Sequence, residues 1–315
     1  MTPPVGRLAP SPTGLLHLGH ARTFLLAYWH ARARGGTLLM RMEDLDGPRV
    51  EPRFAAAALQ DLEWLGLSWD GAPFVQSSEL PQLNAVVAEL VASRKAYPCV
   101  CSRGDIRGAQ SAPHAASAEP RYPGTCRGRF DSFEEAERIA GRPAGARLWV
   151  PDGEITIADQ LHGSSTWNVA REVGDFLIAK RDKAPAYQLA VVVDDAAQRV
   201  TEVVRGDDLL PSTARQWLVQ EALGLPHPAW CHVPLVVDES GRRLAKREAD
   251  LSLAELRSGG TDPRAIVAWA ARSAGIASGE RCTPAEVTRH FDMARVPREP
   301  LRLTAQVVEA LRQAR

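Results

Sequence analysis

The chain has 315 residues, 45 % apolar and 24 % charged, which is the balance of a globular fold with room for one large domain or two ordinary ones. Its 38 basic and 38 acidic residues leave no net charge, which argues against a general nucleic-acid coating protein but not against a local basic patch. It shows no charged-then-apolar leader and no apolar run of about 18 residues. Five cysteines are an odd count for a disulfide framework, so a cytoplasmic protein with no membrane partner is expected.

Residues 5–9 read as a short buried strand. The turn Pro10-Ser11-Pro12-Thr13-Gly14 then opens a long amphipathic helix from near His17 through residues 21–34, stopped by Gly35-Gly36. Such a helix start offers backbone N–H groups and a positive dipole end to a phosphate. Residues 37–42 form a second strand, with Glu43-Asp44-Leu45-Asp46 at its end. Strand, helix and strand in this rhythm predict a parallel sheet. Ligands of such sheets bind beyond the carboxyl ends of the strands, where Arg7 to Ser11 and Glu43 fall.

Residues 52–65 and 80–94 follow as helices. Cys99-Val100-Cys101, a loose loop over 108–120, and Tyr122-Pro123-Gly124-Thr125-Cys126 outline a small inserted subdomain. Residues 146–150 and 154–157 suggest a hairpin around Pro151-Asp152-Gly153, and 175–179 a further strand. The apolar run 185–193, ending in Asp194-Asp195, reads as a strand that starts near Tyr187. A second unit follows: strand 199–205, then Gly206-Asp207-Asp208, then a helix over 212–223. Residues 233–237 read as the last strand, and 251–315 as short helices, with 262–275 the clearest.

Four groups of residues have chemical potential. His17 and His20, three apart on a helix's first turn, can both donate to phosphate oxygens. Arg243, Lys246 and Arg247 sit on a loop after a strand, where cations can neutralise a pyrophosphate leaving group as it forms. Cys99, Cys101 and Cys126 suit zinc, which takes four ligands; Tyr122, His114 or a carboxylate can supply the fourth. Arg7 and Arg205 can each bind a carboxylate, Glu43 can accept from an ammonium group, and Tyr187 adds a hydroxyl. That set suits an acidic amino acid.

These residues carry a family resemblance. Pro10 to His20 resembles the "HIGH" signature of class I aminoacyl-tRNA synthetases in their glutamyl/glutaminyl form, and Arg243 to Arg247 stands where that class carries its "KMSKS" loop. Residues 185–195 and 204–210 resemble the intervening glutamyl-type blocks, so the likeness runs in order from 5 to 256. It implies an α/β fold: a Rossmann-type catalytic domain in two halves (1–95 and 186–256), an inserted zinc-containing acceptor-type subdomain (96–185), and a short helical C-terminal region (257–315). It implies activation of glutamate with ATP and Mg²⁺ and transfer to RNA. Arg7, Leu8, Ala9, Pro10, Ser11, Glu43, Tyr187 and Arg205 would hold glutamate. His17, Gly19, His20 and Lys246 would attend ATP, with His17, His20 and Lys246 catalytic. Cys99, Cys101, Tyr122 and Cys126 would bind one structural Zn²⁺.

The short stretch beyond residue 256 resembles the branch that transfers glutamate to queuosine in the anticodon of tRNA(Asp), acting as a monomer. Asp44 and Asp46 are candidate bases for that transfer. Two departures stand out. Arg243 and Ala245 replace the loop's first lysine and its serine, and arginine lacks lysine's point-donor geometry. Val191 stands where many full-length glutamyl enzymes carry asparagine.

Overall fold

In the computed structural model, which describes residues 2–109, 121–244 and 252–315, Val5–Leu8 (β1) pairs in parallel with Thr37–Met42 (β2). Leu18–Arg32 (α1) is the crossover between them. The return needs glycine, because a Cβ on Gly36 would lie 2.5 Å from the Pro4 carbonyl oxygen. Pro52–Trp64 (α2) leads to Phe74–Val75 (β3), which adds in parallel to β2, and then to Leu80–Ala92 (α3).

Next come Ala96–Cys99 (β4), Arg103–Gly108 (α4), Phe133–Ala140 (α5), Gly145–Leu148 (β5), Ile155–Asp159 (β6), Gly163–Trp167 (β7), Val169–Glu172 (α6) and Leu177–Ala179 (β8). The chain returns with Tyr187–Ala197 (α7), Glu202–Gly206 (β9), Leu210–Leu223 (α8), Ala229–Val233 (β10) and Val236–Val237 (β11). Leu253–Ser258 (α9), Pro263–Ser273 (α10), Pro284–Thr288 (α11), Leu301–Arg302 (β12) and Ala305–Gln313 (α12) follow.

Strands β9 and β10 are parallel, and β6 joins β10 where Asp159 faces Trp230. On the other side β1 lies against β9: Thr201 N donates to Val5 O at 2.9 Å, and Val5 N to Thr201 Oγ1 at 2.9 Å. The spatial order is therefore β3, β2, β1, β9, β10, β6, β7, with β7 antiparallel at the edge. A separate antiparallel sheet, β4-β5-β8, carries α4 and α5 and a small core of its own that includes Cys99, Tyr122 and Cys126.

Several elements differ from the sequence reading. Residues 187–197 form a helix, α7, and not a strand. Leu189 to Val193 are buried without a break, so the period that separates helix from strand is absent. The hairpin around Asp152 does not form: β5 pairs with β4 and β8, while β6 crosses to the parallel sheet. Residues 233–237 are not one strand; β10 ends at Val233 and β11 begins at Val236, either side of Pro234. Nor is β11 the last strand, since β12 pairs with it in parallel.

Helix α1 is not amphipathic. It lies between the sheet and α10 and α11, and is buried on nearly every side. Trp29 has no exposure and donates through Nε1 to Pro284 O at 3.1 Å. Removing that ring costs about 3–5 kcal/mol. Arg22, equally buried, is satisfied by Pro234 O at 2.7 Å and Ser273 Oγ at 2.9 Å. No helix among the described residues is long and apolar enough to cross a membrane.

Candidate active site

A row of polar side chains crosses the carboxyl ends of neighbouring strands. Asp159 ends β6, His232 lies on β10, Arg205 on β9, Arg7 on β1, Arg41 on β2, and Glu43 just beyond it. Parallel pairing aligns them; His232 and Arg205 are direct register partners. Above the row is a cleft of about 280 Å³, lined by Arg7, Ala9, Ser11, Glu43, Tyr187 and Arg205 among others. Six of the eight residues expected around an acidic amino acid are thus brought together. Leu8 is not: it is in the main core. Pro10 is buried outside the lining, and its carbonyl accepts from Glu43 N at 3.0 Å. Val191 is a core residue of α7.

Two residues missed in the sequence organise the acidic side of this cleft. Arg41 has no exposure; its Nη1 is 2.7 Å from Asp195 Oδ1, and its Nη2 donates to Glu43 Oε1 at 3.1 Å. Asp195 also accepts from Arg7 Nε at 3.3 Å. Burial pushes the Asp195 carboxyl up, but the Arg41 and Arg7 guanidiniums outweigh it and hold it below its ordinary value. Asp44 accepts from Ser77 N and Oγ at 2.8 and 2.6 Å, and Asp46 pairs outward with Arg49. Neither lines the cleft.

Arg205 is held differently. Its Nε donates to His232 Nε2 at 3.0 Å, Nη1 to Gln216 Oε1 at 2.8 Å, and Nη2 to Thr213 Oγ1 at 3.0 Å and Leu209 O at 3.3 Å. Since an arginine nitrogen only donates, His232 Nε2 must accept, and its Nδ1–H donates to Asp159 Oδ2 at 2.7 Å. Burial lowers the His232 imidazole, in keeping with this neutral tautomer.

The nucleotide side also departs from expectation. His17 is the N-cap of α1 and precedes its first turn; its Nδ1 accepts from Gly19 N at 3.1 Å and His20 N at 3.4 Å. His17 N in turn donates to His20 Nδ1 at 3.2 Å, and the rings stack 3.8 Å apart. Two backbone donors expected to face a phosphate are therefore engaged by an imidazole. With Nδ1 accepting in both rings, a neutral ring carries its proton on Nε2. A side chain at Gly19 would displace this ring, because a Cβ would sit 2.9 Å from His17 Cε1.

Ala245, Lys246 and Arg247 lie outside the described residues, as does His114. On one flank of that segment, Arg243 pairs with Asp208 at 2.7 Å; on the other, Ser252 bridges His17.

The Sγ atoms of Cys99, Cys101 and Cys126 lie within 4.8 Å of one another, and none forms a disulfide. Tyr122 Oη is 3.4 Å from Cys99 Sγ and 3.7 Å from Cys101 Sγ. A tetrahedral zinc with bonds of about 2.3 Å sets its sulfurs about 3.8 Å apart, so the donor set fits. The proximity of the two thiols lowers Cys126 to about 6 and pushes Cys99 up, so Cys126 is the readier thiolate of the pair. Arg147 donates through Nε to Cys99 Sγ at 3.2 Å and stacks 3.7 Å over the Tyr122 ring.

Residues 5–309 match the family model for tRNA synthetases class I (E and Q), catalytic domain. The chain belongs to this family. It is a ligase of the class I aminoacyl-tRNA synthetase type, a class that uses ATP with Mg²⁺. A glutamyl-Q tRNA(Asp) synthetase of Symbiobacterium thermophilum is 43 % identical to this class I chain, over 97 % of it and 98 % of the relative. One from Nocardia farcinica is 46 % identical over 95 % of the chain and 93 % of the relative. A crystal structure of a glutamate tRNA ligase from Elizabethkingia meningosepticum, in complex with its amino acid, superposes with a TM-score of 0.83 at 26 % identity, covering 98 % of this synthetase chain and 68 % of the other.

Proposed function

We propose that this synthetase activates glutamate with ATP and transfers it to the queuosine base at the anticodon wobble position of tRNA(Asp). The observation that carries the glutamate reading is the cleft itself: two buried arginines, Glu43 and Tyr187 converge on one volume of about 280 Å³, whose lining includes Phe24, stacked against His20. Relatives with the name glutamyl-Q tRNA(Asp) synthetase, matched over nearly their whole length, support the acceptor.

In this reading Arg205 binds the side-chain carboxylate and Glu43 the ammonium group, with Arg7, Ala9, Ser11 and Tyr187 completing the cleft. The α-carboxylate attacks the α-phosphate of ATP in line, giving glutamyl-adenylate and pyrophosphate. His17 and His20 donate to phosphate oxygens, and Lys246 stabilises the charge of the leaving pyrophosphate. Mg²⁺ supplies further charge neutralisation when bound with ATP. A hydroxyl of the queuosine cyclopentenediol then attacks the carbonyl carbon of the mixed anhydride, forming the ester and releasing AMP and a proton. Cys99, Cys101, Tyr122 and Cys126 hold a structural Zn²⁺ that fixes the small β4-β5-β8 subdomain.

The deciding experiment is transfer of labelled glutamate to tRNA(Asp) with and without queuosine, beside tRNA(Glu). Label on queuosine-containing tRNA(Asp) alone is expected. Label on tRNA(Glu) alone would overturn the acceptor and leave a glutamyl-tRNA(Glu) synthetase-like enzyme.

A further inference from the structure

Three arginines stand in one row under the cleft, and they differ in one respect. Arg7 and Arg41 both pair with Asp195, and Arg41 with Glu43 as well. Arg205, just as buried, has only neutral acceptors among the described residues: an imidazole, an amide, a hydroxyl and a carbonyl. A buried cation without an anion costs stability, and a well-packed fold avoids one unless something offsets it. A guanidinium already paired with a resident carboxylate would offer an incoming anion little net charge.

The arrangement around Arg205 maintains this state. Gln216 and Thr213 lie three residues apart on α8, so one helix face presents both acceptors to the guanidinium. His232 is fully buried, and its ring is fixed by Asp159. Asp159 in turn accepts from the backbone N–H groups of Leu161, His162 and His232 at 2.9, 2.9 and 3.0 Å. The negative charge of Asp159 is therefore engaged on the far side of the imidazole. It fixes which ring nitrogen accepts without touching the guanidinium.

We infer that Gln216 and His232, the latter oriented by Asp159, are positioning residues that hold Arg205 in place with its charge unneutralised, reserving it for the side-chain carboxylate of the amino acid. This rests on the reading of glutamate as the substrate and adds the residues that select for its negative charge.

The test is ATP–pyrophosphate exchange by the full chain, with KM measured separately for glutamate and for ATP. Gln216→Glu places a carboxylate on Arg205 in nearly the same shape. It is expected to raise the glutamate KM at least about 30-fold, while kcat and the ATP KM change less than about threefold. Gln216→Met removes the acceptor without adding charge, and its glutamate KM should rise no more than about tenfold. His232→Ala should also raise the glutamate KM, and His232→Gln, which restores a neutral acceptor, should recover most of the loss.

Equal effects of Gln216→Glu and Gln216→Met, or an unchanged glutamate KM in both, would overturn the inference. Should Gln216→Glu be recovered only unfolded, the wild type decides. Use of glutamine at a kcat/KM within about tenfold of glutamate overturns it, since a reserved cation must reject a neutral amide; stronger rejection supports it. A wild type with no glutamate-dependent exchange would overturn the functional reading itself, an outcome distinct from all of these.

Discussion

Arg41 Nη1 lies 2.7 Å from Asp195 Oδ1 with no exposure to solvent, joining strand β2 to helix α7 beneath the cleft. The same guanidinium holds Glu43, so one cation orients two carboxylates. Replacing it with methionine leaves Glu43 buried without its partner and Asp195 with Arg7 alone. Arg41→Met is expected to lose about 3–5 kcal/mol in urea unfolding. Arg41→Lys should lose less stability but still raise the glutamate KM, because one ammonium cannot reproduce the fork. A methionine variant as stable as the wild type would contradict this account.

Glu202 gives a pH prediction with a defined direction. It accepts from His30 Nε2 at 2.6 Å and pairs with Arg34. Burial pushes its carboxyl up, but the hydrogen bonds of His30 and Arg34 outweigh burial and hold it at about 2, below the ordinary 4.5. The unfolded chain therefore binds this proton more readily than the folded one. The stabilisation is present above about pH 4.5 and is lost as pH falls toward about 2. The unfolding free energies of wild type and Glu202→Gln should differ by roughly 3 kcal/mol at pH 6 and converge through that window. A gap that stays constant down to pH 2 would be incompatible with it.

His17 combines a cap and a proposed donor, and two substitutions separate them. His17→Ala removes both, costing about 1 kcal/mol of stability and most of the exchange rate. His17→Asn restores a good N-cap without an imidazole, so stability should return while exchange stays slow. Recovery of exchange in the asparagine variant would mean that His17 serves only the helix.

Lys246 belongs to the proposed pyrophosphate-side machinery. Lys246→Ala should slow ATP–pyrophosphate exchange at least tenfold, about 1.4 kcal/mol of barrier. Unchanged exchange would remove the loop from the mechanism.

The cysteine cluster should retain close to one zinc per chain on metal analysis. Cys126→Ser should lose most of it, and chelation should lower the melting temperature of the wild type but not of the variant. Equal metal content in both proteins would rule these thiols out as its ligands.

The sequence showed the βαβ start clearly, because β1, α1 and β2 differ in length and are punctuated by proline and glycine. It concealed α7, where burial on all sides erases the period, and it suggested a hairpin where Pro151-Asp152-Gly153 carries the chain from one sheet to another. That Arg7 and Glu43 share one cleft was legible from their position at strand ends, and that Tyr187 and Arg205 join them from resemblance. Arg41 and His232 were not legible, because each is a lone basic residue within an apolar strand, and Gln216 was not, because it is one of several polar residues on α8. Only the lateral order of the strands gives each its neighbour. The capping use of His17 Nδ1 was equally hidden, since histidine is not among the residues from which a cap is ordinarily read.

Strand β11, just before the Arg243 segment, takes its ladder partner from β12, with Leu301 N donating to Leu235 O at 2.9 Å and Leu303 N to Val237 O at 2.8 Å. Arg302 adds a bond to Glu239 O at 2.8 Å. During synthesis this ladder cannot close until residue 303 has cleared the ribosome, long after both halves of the cleft have emerged. Residues 235–239 are thus among the last pieces to be fastened, and a chain interrupted before β12 leaves β11 without its parallel ladder partner.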